Sequence, residues 1–122
     1  MEFAEQLRVL QAAAGNPAKL ALSTVDLAFP ALPDQERLAL KEALAAAAIP
    51  HWCDAGILAV LLGNTVEESR VLHGRLLRLT VVEAFPARGE TAVNVHEATR
   101  LALRKSMATD RTHWFQTLSE RA

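Results

Sequence analysis

Apolar residues in the first part of the chain recur every three or four positions, which is the period of an amphipathic helix. Between positions 2 and 14 they fall on one face and predict a helix that ends before Asn16. Asn16 followed by Pro17 is typical of a helix start, so a second helix is expected before Pro30. The first thirty residues are therefore predicted to form a helical pair.

Two more helices are predicted in the next part of the chain. The first begins at Pro33, where a proline and acidic residues in the first turn suit the helix dipole, and Pro50 stops it after an alanine-rich end. The second is short, because Asp54 is placed to cap it and Gly63 follows its last apolar residue as a left-handed terminator. These helices lie at the centre of the predicted domain.

The pattern changes from helical to two-residue periodicity near position 80. Thr65 and Glu68 have the spacing of a capping box, and the apolar face after them predicts a helix to Leu79. Residues 80–85 and 91–95 are rich in β-branched side chains, and the segment between them is rich in turn-forming residues. We therefore expect one β-hairpin.

Helical spacing returns after the hairpin. Residues 96–107 predict a helix, and Asp110 is placed to cap a last one. A helix, a short helix, a capped helix and a hairpin in this order are the arrangement of a winged helix-turn-helix. The predicted fold is mostly α and forms one compact unit: an N-terminal helical extension at 1–31, a winged-helix domain at 32–107 and a C-terminal helix at 108–122.

Composition limits the classes of function. Of the 122 residues 51% are hydrophobic, and alanine and leucine supply most of them, which favours helix over strand. Thirteen basic and fourteen acidic residues give a net charge of -1, so no overall field attracts nucleic acid or an anionic membrane. The one cysteine, Cys53, cannot form an internal disulfide, and no signal peptide or membrane span is apparent. We expect a cytoplasmic protein without a membrane partner.

The segment around the hairpin resembles a known family. A strand entered through residues 80–83, a hairpin and then Val95-His96-Glu97 at a helix start are similar to the winged-helix segment of STAND-type signalling NTPases. In that family the second strand ends in a Met-His-Asp-like motif. The resemblance covers residues 33–107 and implies a regulatory part of a signalling protein. It also implies for His96 the role of the motif histidine, which helps to hold bound nucleotide diphosphate.

The chain departs from this family in its chemistry. It has no glycine-rich phosphate loop with a lysine and a hydroxyl residue, and no acidic strand end to hold magnesium. We therefore expect no nucleotide hydrolysis by this chain, and its end within an amphipathic stretch indicates one piece of a longer protein. From the residues alone, His96 is either a local helix cap or a contact to a partner's phosphate.

The turn His51-Trp52-Cys53-Asp54 concentrates a histidine, a thiol and a carboxylate. It is either a reactive site in which His51 activates Cys53, or a turn in which Trp52 and Cys53 fill the core. Free cysteine is among the most buried residue types, which favours the core. The four histidines and one cysteine match no metal-ligand spacing. The sequence therefore predicts no catalytic residue, no metal site and no cofactor.

A DNA-binding interpretation depends on four arginines. The helix after Thr65 would enter the major groove and offer Arg70, His73, Arg75 and Arg78. Arg88 at the hairpin tip would contact a phosphate or a minor groove. Acidic residues lie beside these arginines in the sequence, which favours a solvated surface of mixed charge.

The functional prediction is a non-enzymatic interaction or regulatory module of a bacterial-type signalling protein, of the winged-helix type. Its partner would be another protein or an adjacent domain of a longer chain, and Trp114 and Phe115 either close the core or offer apolar surface to that partner. The alternative is a winged-helix DNA-binding domain of a transcription regulator. A third hypothesis is a thiol or histidine enzyme at His51 and Cys53.

Overall fold

A computed structural model of the chain describes residues 16–85 and 92–122. These residues are mostly helical, with one small antiparallel sheet, as predicted. The predicted helix at 2–14 and the turn at 86–90 lie outside them. The described elements are α1 (Pro17–Ala28), α2 (Asp34–Ala47), α3 (Ala55–Leu62), α4 (Val66–Leu76), β1 (Val82–Ala84), β2 (Val93–Val95), α5 (Glu97–Asp110) and α6 (Thr112–Arg121).

Three helices begin at the side-chain caps that the sequence predicts. The side-chain oxygen of Asn16 accepts a hydrogen bond from the backbone N–H three residues later at 3.1 Å. Asp54 does the same at 2.8 Å before α3, and Thr65 at 3.1 Å before α4. Gly63 ends α3 in the left-handed conformation with φ 69°. Each cap satisfies a backbone group that a helix terminus leaves unpaired, so these boundaries are fixed locally.

The predicted cap at Asp110 is wrong. Helix α5 runs through Asp110, whose carboxylate accepts a hydrogen bond from Ser106 within the same helix. The break falls on Arg111 instead, which has non-helical φ and ψ and caps α6 without a side-chain hydrogen bond. Its guanidinium lies 3.9 Å from the ring centroid of Trp114 and 3.4 Å from a carboxylate oxygen of Glu42. These two tertiary contacts are made by the residue at which α5 ends and α6 begins.

Helix α4 ends earlier than predicted, and both strands are shorter than predicted. The helix stops at Leu76, because the backbone then tightens into a turn in which Leu79 donates to the carbonyl of Leu76 at 3.0 Å. Leu79 is nevertheless buried, as its place on the apolar face indicates. The strands pair antiparallel over three residues each, with Val82 opposite Val95. A helix-to-strand change near position 80 is therefore confirmed, with the strand starting two residues later.

The sheet has a third participant that no sequence pattern predicts. Cys53 forms an isolated antiparallel bridge with Val93 of β2. The N–H of each residue donates to the carbonyl of the other at 2.8 Å. Because β2 pairs with β1 on its other side, the spatial order is the Cys53 segment, β2 and β1. The turn between α2 and α3 is thereby joined to the hairpin.

Helix α2 lies at the centre of the described fold. It packs against α1, α3, α4, α5 and β2. Its alanine-rich half is buried from Ala43 to Ala47, and small side chains there let the neighbouring helices approach closely. Large side chains from α2 itself and from the surrounding elements complete the core. The fully buried ones are Val25, Leu40, Leu44, Leu58, Leu61, Leu76, Val93, Leu103 and Leu118.

Two glycines give opposite predictions for stability. Gly63 has a positive φ, so Gly63→Ala should lower the free energy of unfolding by about 1 kcal/mol, since an L-residue is strained in that conformation. Gly74 lies within α4, and a Cβ added there meets no atom of the described part of the chain within 4 Å. Gly74→Ala should therefore raise the free energy of unfolding by about 0.5–1 kcal/mol. Urea denaturation measures both, and a loss of stability in Gly74→Ala would show that this position packs against other residues.

Candidate functional site

The outward side of α4 is the first candidate surface. Ser69, His73 and Leu76 face the protein interior. Exposed positions of the same helix include Val66, Glu67, Arg70, Val71 and Gly74, which we call the α4 face. Val66 and Val71 are 44% and 55% exposed, and the space around Gly74 is open. The α4 face therefore presents two apolar side chains and an open space at Gly74 rather than a row of cations.

The described arginines near this surface have partners within the chain. Arg70 lies 3.3 Å from a carboxylate oxygen of Glu67, one turn earlier in α4. Arg75 turns towards α2, where it lies 3.6 Å from a carboxylate oxygen of Glu36. Exposed ion pairs of this kind contribute less than about 1 kcal/mol. They weaken the positive potential that DNA would meet, but a phosphate could still displace them.

Two further arginines complete the DNA-binding interpretation. The guanidinium of Arg78 lies 4.8 Å from the ring centroid of Phe29, which follows α1. A cation over an aromatic ring gains electrostatically from the ring face, so this arginine is anchored on the protein. Arg88 lies outside the described residues. The structure thus places Arg70 on the outward side of α4 and ties Arg75 and Arg78 to other elements.

His96 is the residue before α5, but its imidazole makes no capping hydrogen bond. Nε2 instead lies 3.4 Å from Oε2 of Glu83 on β1, and both side chains are about half exposed. The side-chain cap that was one of the two alternatives is not formed. A phosphate at this point would meet the Glu83 carboxylate, so that carboxylate would have to turn away before an anion could bind.

Trp114 and Phe115 lie on α6 and are half-buried. Both pack against the hydrophobic core. The guanidinium of Arg104 lies 5.6 Å from the ring centroid of Phe115, and that of Arg111 covers Trp114. These aromatic residues therefore contribute to closing the core, and arginines cover part of their outer surface.

The thiol of Cys53 is enclosed. The side chain is 1% exposed, and Sγ donates to the backbone carbonyl of Asp54 at 3.3 Å. Burial, and to a lesser extent the charge of Asp54, raises the pKa of the Cys53 thiol to about 12. The nucleophile in thiol chemistry is the thiolate, and His51 is exposed at the surface while Cys53 is inside. The geometry therefore supports the structural interpretation of Cys53 and gives no support to a reactive His51–Cys53 pair.

A cavity beside this turn was not predicted from the sequence. It has a volume of about 650 Å³ and lies between the turn after α2, helix α3, the residue after β1 and the end of α6. Its apolar lining residues are Pro50, Trp52, Ile57, Val60, Phe85 and Ala122, and its polar ones are His51 and Arg121. No local pattern connects these residues, because they come together only when the elements pack.

Other kinds of site have less support. Within residues 16–85 and 92–122, no group of three or more potential metal ligands lies close enough together to hold an ion. No described helix has the length and apolar character that crossing a membrane requires.

Comparison of the chain with models of protein families, with curated proteins and with solved structures gave no match.

The environment of Cys53 predicts slow alkylation by iodoacetamide. At pH 8 the thiol should react roughly a thousandfold more slowly in the folded protein than in urea, because burial moves its pKa from the ordinary 9.0 to about 12. In the folded protein the rate should keep rising with pH above 9, whereas in urea it should level off. Mass spectrometry follows both reactions. Equal rates at pH 8 would contradict the enclosed thiol.

Proposed function

We propose that this chain is a winged helix-turn-helix module that acts by binding another protein rather than by catalysis. The order of elements supports the fold: α2, the single-residue strand at Cys53, α3, α4 and then the β1–β2 hairpin. The close packing of α3 against α4 across the turn at Gly63 supports it as well. Its one cysteine is a free, buried thiol, which suits the reducing cytoplasm.

The α4 face is the proposed contact surface. Its apolar side chains, Val66 and Val71, are about half exposed, although burying them would be favourable. Gly74 in the same helix costs stability relative to alanine, and within the described residues no neighbour lies within 4 Å of a Cβ added there. A partner that approaches closely over Gly74 and covers the two valines accounts for both features. This combination is the observation that carries the proposal.

The resemblance to the winged-helix segment of STAND-type signalling NTPases is part of the same proposal. The position of His96, directly after β2 and directly before α5, supports it. In this interpretation the chain is a regulatory part of a signalling protein of the bacterial type, and its partner is either a separate protein or an adjacent domain. The contact between His96 and Glu83 would then be an exposed polar link that a neighbouring domain replaces.

DNA binding is the second candidate, because α4 is the helix that would enter the major groove and Arg70 points outward from it. Three observations favour a protein partner instead. Glu67 pairs with Arg70, Glu36 pairs with Arg75, and the net charge of the whole chain is -1. A surface on which carboxylates pair with two of the three described arginines gains less from counterion release on DNA.

Photo-crosslinking tests the contact surface directly. A benzoylphenylalanine placed at Val71 in the native protein inside its host cell should give a discrete protein adduct or a defined crosslink to another domain. The same group at Lys19, an exposed position on α1, serves as the control. Gly74→Gln should abolish the Val71 adduct by filling the open space beside it, whereas Ala108→Gln, which places the same side chain at an exposed position on α5, should leave it unchanged. A Val71 signal no stronger than the Lys19 control would contradict the proposal.

Fluorescence anisotropy with random-sequence duplex DNA separates the two candidates. We expect weak, non-saturating binding even at low salt, and little effect of Arg78→Ala, because Glu67 and Glu36 already pair with the neighbouring Arg70 and Arg75. A DNA-binding domain behaves differently: its affinity falls steeply as salt rises, and it weakens when a phosphate-contacting arginine is removed. Steep salt dependence together with a loss in Arg78→Ala would establish the alternative.

A further inference from the structure

The cavity beside the α2–α3 turn has the properties of a small-molecule site. Its volume of about 650 Å³ lies within the range of pockets that enclose small ligands. Aromatic and aliphatic side chains line it, with Trp52 from the turn, Val60 from α3 and Phe85 after β1. The site therefore suits a ligand with an apolar body of moderate size.

The polar side of the cavity carries positive charge. The charge is the guanidinium of Arg121; His51 adds an imidazole that can form a hydrogen bond, and none of the described lining residues has an acidic side chain. Nη1 of Arg121 donates to the carbonyl of Leu61 at 2.9 Å, a bond that uses one of its N–H groups. A guanidinium offers five N–H donors in a planar fork, so donors remain for a ligand.

The position of Arg121 is restrained before any ligand binds. Besides the bond to Leu61, its guanidinium lies against Gly63, where a Cβ added to the glycine would be 3.4 Å from Nη1. The end of α3 thus holds the cation at the mouth of the cavity. A charged group that is already held in place loses less conformational entropy when a ligand binds. The planar N–H donors of a guanidinium also match the geometry of a carboxylate.

We infer that this cavity binds a small carboxylic acid with an aromatic or branched apolar body, whose carboxylate lies against Arg121 and whose body packs between Trp52, Val60 and Phe85. The inference goes beyond the proposed function and does not depend on it. The cavity and the α4 face are formed by different residues, so either one can fail without the other.

The test uses 4-phenylbutyrate as the probe. Calorimetry and ¹H–¹⁵N NMR spectra of the folded chain should show saturable binding, with shifts concentrated at the Trp52 indole, Val60 and Arg121. The uncharged amide, 4-phenylbutanamide, should bind about tenfold more weakly, because it lacks the charge-assisted hydrogen bond. Binding of acid and amide with equal affinity, or shifts spread evenly over the surface, would overturn the inference.

Substitutions separate the charge from the apolar walls. Arg121→Gln should reduce affinity for 4-phenylbutyrate to that for the amide and leave the amide unaffected. Arg121→Gln also removes the hydrogen bond to Leu61, so a second variant is needed. Val60 is 59% exposed, and the fold should therefore tolerate Val60→Glu. The new carboxylate should repel the carboxylate of the probe and weaken its binding. Val71→Glu on the α4 face is the matched control and should bind as the unmodified chain does. Unchanged affinity in both Arg121→Gln and Val60→Glu would refute the site.

Discussion

The fold depends on one backbone contact, the bridge between Cys53 and Val93. Two hydrogen bonds of 2.8 Å join a turn after α2 to the second strand of the hairpin. The contact closes a long loop of the chain, and this loop contains α3, α4 and β1. Unpaired backbone groups in the interior are costly, and Cys53 and Val93 are both buried, so neither hydrogen bond can be exchanged cheaply for water. The bridge fixes the hairpin to the cluster of helices that packs around α2.

Both candidate surfaces follow from this arrangement. Helix α2 packs against both α3 and α4, and α3 packs against α4, which leaves the opposite side of α4 to the solvent. The turn that carries the bridge also brings His51 and Trp52 to the cavity, while α6 packs against α3 and brings Arg121 to its mouth. Helix α3 therefore lines the cavity and supports α4, so it is the element that the proposed protein-binding surface and the proposed small-molecule site share.

Features that depend on neighbours in the sequence were predictable, and features that depend on distant residues were not. Asp54 and Thr65 cap a backbone N–H only three residues later, so the starts of α3 and α4 were predicted correctly. The bridge at Cys53 is one residue long and its partner is far away in the chain, so no periodicity signals it. The cap predicted at Asp110 had the right residue type, yet tertiary contacts of Arg111 accompany a helix boundary one residue later. The exposure of α4 was predictable, but the partner of Arg75 on α2 was not.

Amide hydrogen exchange at Cys53 and Val93, measured by NMR, tests the central contact most directly. The account predicts that both amides exchange only through global unfolding, with the same free energy of opening as buried amides of α2 such as Leu44. It also predicts that the two amides respond in parallel when urea is added. Exchange of either amide at the rate of an open turn, while Leu44 remains protected, would show that the bridge is not formed and that the hairpin is not fixed to the helical cluster.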